Sequence, residues 1–353
     1  MTPRLERVRA RLGEERLDAL VLLNAENRRY VTGFTGSAGI AVVLPERSHL
    51  IVDFRYVEQA REEAPEFSPV RVSNLLEGLA AFLREAGARR VGFEAETVTV
   101  AQLRRLRELA ADVELVPLQG LDRMRWRKDP QEIARISRAA QIAAAAFVEI
   151  LPLVRPGVVE RDLALELEYR MRRLGADGAA FDAIVASGPR SALPHGRASG
   201  RAIGPGDLVT VDWGAVVQGY HSDSTRTLVV GRASGEQRQL YRLVREAQEA
   251  ALAGLRPGMT GKEADALARQ RIAAAGYGDH FGHGLGHGVG LAVHEGPTLS
   301  PREEAVLEPE VVVTVEPGIY LPGWGGVRVE DLVVLREGGA EVFPGAPQEL
   351  LEV

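Results

Sequence analysis

Acidic residues occur in two matching frames in the C-terminal half of the chain. Thr210-Val211-Asp212-Trp213-Gly214 recurs as Thr314-Val315-Glu316-Pro317-Gly318, and each copy carries a second acid after a short loop, Asp223 in the first and Glu330 in the second. Upstream, Arg155-Pro156-Gly157 recurs as Arg256-Pro257-Gly258. The spacing between copies widens slightly along the chain, as loop insertions would make it. A single acid usually ends at an exposed hairpin tip, but four acids in matching frames inside apolar strands do not fit that pattern. Two related halves facing each other would pool these four carboxylates. Crowded carboxylates repel one another and are costly to desolvate unless a cation sits among them. The pattern therefore points to a metal centre.

A second cluster lies between the acidic frames. Phe281-Gly282-His283-Gly284-Leu285-Gly286-His287-Gly288-Val289-Gly290-Leu291 is followed by His294-Glu295, so three of the seven histidines fall within twelve residues. Glycine at alternate positions predicts a strand with one bare side that a ligand can approach. No Gly-Lys-Ser/Thr follows, so this is not a phosphate loop, and Thr298 breaks the H-E-x-x-H zinc pattern. His195, in Leu193-Pro194-His195-Gly196, occupies the corresponding region of the first copy, where the flanking proline and glycine predict a fixed turn that presents the ring. Oxygen-rich ligation with an imidazole suits two divalent ions such as Mn, Co, Fe or Zn. Such a pair activates water and polarises a carbonyl, giving hydrolysis without a protein nucleophile. No G-x-S-x-G supports a serine triad.

The elements that must hold these residues follow from periodicity. Leu208–Val211 reads as a buried strand ending at Asp212, and Asp223 opens the next, 225–230. In an antiparallel hairpin these two acids would lie across from each other. Val311–Val315 and Val327–Val334 would do the same for Glu316 and Glu330. Asp129-Pro130-Gln131-Glu132 is a helix start with a capping box. Further helices are expected from about Val159 to Gly175 and from the Thr260 cap to Gly276. Residues 1–121 alternate helical and strand patterns: a helix at 4–16, strands at 18–23, 39–44 and 49–52, helices at 56–63, 74–85 and 100–110, and strands near Val91 and Val113. This predicts an α/β N-terminal domain over 1–121 and an α+β domain with an internal pseudo-two-fold repeat over 122–353, joined by a basic linker at Leu121–Lys128.

Bulk composition narrows the function. The chain of 353 residues, with a net charge of −6, gives no electrostatic reason to bind nucleic acid or an anionic membrane. Absence of cysteine excludes disulfides, zinc–thiolate sites and thiol nucleophiles, and fits a cytoplasmic location. Met1–Arg11 lacks an apolar signal core, and no uninterrupted apolar run reaches membrane-span length.

The motifs LPHG, VDWG with SDSTRT, GHGLGHGVGLAVHE, VEPGIY and GVRVEDLV together resemble the M24 "pita-bread" metallopeptidases, which include methionine aminopeptidase, aminopeptidase P and prolidase. The resemblance spans nearly the whole chain, with a creatinase-like N-terminal domain and a C-terminal pita-bread domain. It implies Asp212, Asp223, His287, Glu316 and Glu330 as metal ligands, with Asp223 and Glu330 serving both ions. It implies Glu316 as proton acceptor, and His195, His283 and His294 as histidines that bind substrate and stabilise the tetrahedral intermediate. Arg328 matches an arginine that orients Glu330 or the substrate. The intact ligand set argues against a creatinase, and the N-terminal domain argues against methionine aminopeptidase. The remaining expectation is a homodimeric enzyme cleaving before proline, a Xaa-Pro dipeptidase or, alternatively, an aminopeptidase P acting on longer peptides; a non-catalytic binding protein is a remote third. Asn27–Tyr30 and Asp53–Tyr56 are candidates for contact with a partner subunit's active site.

Overall fold

A six-stranded sheet organises the first 125 residues of the computed structural model, which describes residues 2–353. The chain divides into two units, Met1–Arg125 and Trp126–Val353. In the first unit the strand order is Ser68–Arg71, Ser48–Val52, Ile40–Val43, Ala19–Leu22, Arg90–Glu94 and Glu114–Leu118. The central strands are ALVL and IAVV, buried along their whole length, as expected of strands covered on both faces. Pro3–Glu14, Leu75–Glu85 and Val100–Leu109 form helices, the last begun by a Thr99–Gln102 capping box. Two elements escape the periodicity argument, the helix Ala25–Thr32 and the edge strand Ser68–Arg71.

The short helix changes the reading of Asn27–Tyr30. Asn27, Arg28 and Tyr30 are buried rather than presented to a partner. Arg28 donates to the carbonyls of Gly36 and Gly39, both at 2.8 Å, and Asn27 links Glu94 to Arg125. Phe54 is by contrast 71% exposed. The expected linker is likewise structured. Leu121–Arg125 is a 3-10 turn held by Arg125, which donates to Asn27 Oδ1 at 2.7 Å. Lys128 is buried in an ion pair with Glu295 at 2.6 Å.

The second unit contains two sheets that carry the site. One has the order Ser224–Val229, Leu208–Trp213, Ile184–Ser187; the other has the order Glu295–Leu299, Gly286–Gly288, Val312–Val315, Asp331–Arg336, Gly339–Val342. Each half brings two helices, Pro130–Ile150 with Glu160–Arg173, and Gly235–Gly254 with Gly261–Ala274. The repeat is visible in the backbone. Gly157 and Gly258, which close the two RPG turns, both have φ of 90°, and Gly175 and Gly276, which stop the following helices, have 101° and 87°. Only glycine adopts such values without strain. The capping boxes at Asp129 and Thr260 are formed.

Pro130–Leu153 is long and apolar enough to cross a membrane by length and composition alone. In this fold its apolar face is core: Phe147 stacks on Trp213 at 4.4 Å, and Trp213 Nε1 donates to the Ala143 carbonyl. At the other end, the final residues return to the first half. Leu351 and Val353 accept from the amides of Val229 and Gly231, and Arg226 donates to the carbonyls of Ala346 and Pro347.

Candidate metal centre

The two acidic frames are joined by one row of cross-strand partners. Asp212 lies opposite Thr225, and Thr225 bridges to Glu330. In the second half Val315 pairs with Asp331, so Glu316 and Glu330 are the next residues beyond the end of that ladder. Residues opposite each other share a face of the sheet, so the row aims Asp212 and Glu330 to one side. The expectation that Asp212 and Asp223 face each other directly is corrected: Thr225 takes that place, and Asp223, two residues earlier, lies on the diagonal of the same face. The expected strand Val327–Val334 is also broken. Gly325–Arg328 pairs with Gly318–Leu321, Asp331–Arg336 pairs with Val312–Val315, and Glu330 sits at the break, free to point inward.

His287 is the middle residue of Gly286–Gly288. Gly284 and Gly286 do line the cleft, but the space left by the missing side chains is taken up by protein and not by a ligand. A side chain at Gly284, Gly286 or Gly288 would collide with the carbonyls of Leu299, Thr314 or Gly296 respectively. The bare edge is filled by neighbouring backbone, and that close packing delivers His287 to the acids. Its Nε2 is 3.4 Å from Glu316 Oε1 and 3.6 Å from Asp223 Oδ2.

Three overlapping groups present ligand atoms within 4.8 Å of one another: Asp212, Asp223 and Glu330; His287, Glu316 and Glu330; Asp223, His287 and His294. Asp223, Glu330 and His287 each belong to two of them. Asp212 Oδ1 and Asp223 Oδ1 are buried with no hydrogen-bond partner. Burial, followed by repulsion from Glu330, Asp212 and Glu316, pushes the Asp223 carboxyl far above its ordinary range. Burial and the same crowding act on Glu330, and burial lifts Glu316 to about 7 against the opposing field of Arg328. Burial lowers His287, keeping the imidazole neutral as a ligand must be. Orphaned carboxylate oxygens, raised acids and a neutral imidazole converging on one point fit divalent cations bound through oxygen and nitrogen.

Around this cluster, Arg328 is fully committed. It donates to Asp212 Oδ2 at 2.7 Å, Thr225 Oγ1 at 3.0 Å, Tyr320 Oη at 2.9 Å and the Pro194 carbonyl at 3.1 Å. Thr225 in turn donates to Glu330 Oε2 at 2.6 Å. His283 is turned toward Tyr320, 2.9 Å from its hydroxyl, with the other ring nitrogen against the Gly284 carbonyl. Both nitrogens are thus occupied, and burial beside Arg328 depresses its pKa to about 4. His195 sits in a turn closed by Gly196 N donating to the Leu193 carbonyl, and its ring is exposed to the cleft. His294 is also exposed and meets His287 edge-on at 4.4 Å. The four acids, the four histidines and Arg328 line one cleft of about 630 Å³, whose further wall includes Phe181, Asp182, Ile184 and Arg197. Tyr320 and Thr225 were not singled out by sequence reasoning, although both lie inside the quoted motifs VEPGIY and SDSTRT.

Comparison with known proteins identifies the family. Residues 134–337 match the model of metallopeptidase family M24, and residues 4–126 match the Creatinase/Prolidase N-terminal domain. A Xaa-Pro dipeptidase of Pyrococcus furiosus is 38% identical over 353 residues, covering 99% of this chain and 100% of its own. Among solved structures, a Xaa-Pro dipeptidase from Bacillus anthracis superposes with a TM-score of 0.96 at 45% identity, covering 99% of both chains. An X-Pro aminopeptidase from Thermotoga maritima superposes with a TM-score of 0.91 at 40% identity, again over 99% of both. Matched by family models over both of its units, this chain belongs to metallopeptidase family M24 and is a peptidase of the prolidase and aminopeptidase P branch.

Proposed function

We propose that this enzyme hydrolyses the peptide bond preceding proline in Xaa-Pro dipeptides, using two divalent ions held by Asp212, Asp223, His287, Glu316 and Glu330. The observation that carries this reading is the convergence of four carboxylates and a neutral imidazole, in overlapping groups, inside one cleft. Asp223, Glu330 and His287 are each shared between two groups, and of these only the two carboxylates have a second oxygen with which to serve both ions. Bound there, divalent ions would lower the pKa of a coordinated water and polarise the scissile carbonyl. Mn, Co, Fe and Zn all suit the donor set.

The chain's own side chains supply the rest. Glu316, oriented by Thr314 Oγ1 at 3.0 Å, takes a proton from water and passes it to the leaving proline nitrogen. His195 and His294, exposed to the cleft from opposite halves of the repeat, donate to the oxyanion that develops on the scissile carbonyl. His283 acts through Tyr320: with Nδ1–H given to the Gly284 carbonyl, Nε2 accepts from the Tyr320 hydroxyl and fixes it. Arg328 holds Asp212 and, through Thr225, Glu330. A tertiary Xaa-Pro amide lacks an N–H and constrains the chain, which is why a dedicated cleft is needed. We place the enzyme in the cytoplasm as a homodimer, with the exposed Asp53–Tyr56 segment as the partner-facing element; the cysteine-free composition and the exposure of Phe54 support this.

Hydrolysis of Ala-Pro by protein loaded with Mn or Co tests the assignment. No cleavage of Ala-Pro, Ala-Pro amide or Ala-Pro-Gly by metal-replete protein would reject it. Cleavage of the tripeptide alone would favour the aminopeptidase reading.

A further inference from the structure

The cross-strand row that joins the acids continues past Asp212 in the other direction. Asp212 pairs with Ile184, and Ile184 bridges to Arg197. The full row is therefore Arg197, Ile184, Asp212, Thr225, Glu330, all on one face. Each cross-strand step is roughly 5 Å, so the Arg197 backbone lies about 10 Å from that of Asp212. A guanidinium on its flexible stem can close most of that interval. Arg197 lines the same cleft as the acids.

Two cations line this cleft, and they differ in state. Arg328 is buried and spends its donors on protein atoms. Arg197 is exposed and makes no side-chain hydrogen bond or ion pair among the described residues. Asp182, also in the wall, stands two residues before Ile184 and forms no ion pair with Arg197. A dipeptide bound with its scissile carbonyl at the acids carries its carboxylate only a few bonds beyond the proline nitrogen. Planar, bidentate capture of carboxylate is what a free guanidinium does best.

We propose that Arg197 binds the free C-terminal carboxylate of a Xaa-Pro dipeptide and thereby sets substrate length. This rests on the peptidase reading and adds a length selector to it. Blocking or extending the carboxylate removes the partner of Arg197, so Ala-Pro amide and Ala-Pro-Gly lose the contact.

The experiment compares kcat and KM for Ala-Pro, Ala-Pro amide and Ala-Pro-Gly in manganese-loaded parent, Arg197→Gln, Arg197→Lys and Asp182→Asn. The expected result is a KM for Ala-Pro raised about 10- to 100-fold in Arg197→Gln, in line with loss of a charge-assisted pair. Its kcat stays within about 3-fold, the amide and the tripeptide change little, and Arg197→Lys recovers part of the loss. Asp182→Asn should lower the KM for Ala-Pro or leave it unchanged, since it removes a competing anion. Equal loss on the dipeptide and its amide in Arg197→Gln overturns the proposal, as does a parent that prefers the amide or the tripeptide. In those cases the peptidase assignment survives, whereas a parent that cleaves none of the three removes both. Unchanged melting temperature in Arg197→Gln, expected for an exposed side chain, separates a binding defect from misfolding.

Discussion

Replacing Glu316 by glutamine should stabilise the metal-free enzyme and destabilise the metal-loaded one. Burial lifts the Glu316 carboxyl from 4.5 to about 7 when no cation compensates it. That displacement is worth about 3 kcal/mol, since each pKa unit corresponds to about 1.4 kcal/mol. The sign follows from proton counting. Between 4.5 and 7 the native state holds a proton that the unfolded chain has released, so native stability falls as pH rises through this window and the loss is complete above it. Glutamine carries no charge and still offers an oxygen to Thr314 Oγ1. In EDTA at pH 8 the variant should therefore melt higher, by up to roughly 6–12 °C for a domain of this size. At pH 5 the difference should shrink toward zero, because the parent's own carboxyl is then protonated. With manganese at a thousandfold excess over Kd the order reverses, since the parent gains about 4.1 kcal/mol of binding free energy, more than the roughly 3 kcal/mol it lacks, and the amide is the poorer ligand. Differential scanning calorimetry at both pH values, with EDTA and with manganese, reads all four cases. A variant that melts below its parent in EDTA at pH 8 would refute the claim that uncompensated carboxylates strain this site.

Asp223→Asn or Glu330→Gln should abolish turnover and lower bound metal below the parent's stoichiometry, measured by elemental analysis of dialysed protein, because each residue belongs to two ligand groups. His294→Ala should reduce kcat by about 100-fold or more while leaving metal content near the parent's; loss of all metal would make His294 a ligand instead, a placement its proximity to Asp223 and His287 permits. Lys128→Met leaves Glu295 buried without its 2.6 Å partner and should cost about 3–5 kcal/mol in chemical denaturation, and the double variant Lys128→Met, Glu295→Leu should recover most of it.

The acids were legible from sequence because the repeat doubles the signal: one buried Asp is ambiguous, but Asp212 and Glu316 in matching frames are not. Local chemistry was legible too, in the capping boxes at Asp129 and Thr260 and the RPG glycines, since these depend on residues within a turn of one another. What failed depended on partners distant in the chain. Alternate glycines at 284, 286 and 288 read as room for a ligand; Gly284 and Gly286 do line the cleft, but the room left by the absent side chains is taken by the backbone at Leu299, Thr314 and Gly296. The helix Gly235–Gly254 went unassigned although Ser234 and Gln237 form its capping box. Lys128 reads as a linker charge because Glu295, its partner, lies far away in sequence. Arg197 gave no signal at all, since only the pairing register puts it on the face of Asp212.

The return of residues 346–353 to the first half bears on how the enzyme matures on the ribosome. Val229, Gly231 and Arg226 hold the strand that carries Thr225, and the partners of Arg226 follow it by 120 and 121 residues in the chain. Asp212 and Asp223 emerge about a hundred residues before Glu316 and Glu330. A nascent chain therefore exposes half of the acidic cluster with an unsealed sheet edge for much of its elongation. Closure of that edge must therefore wait until residues 346–353 have been made, and the four carboxylates come together only once both halves of the repeat are in place.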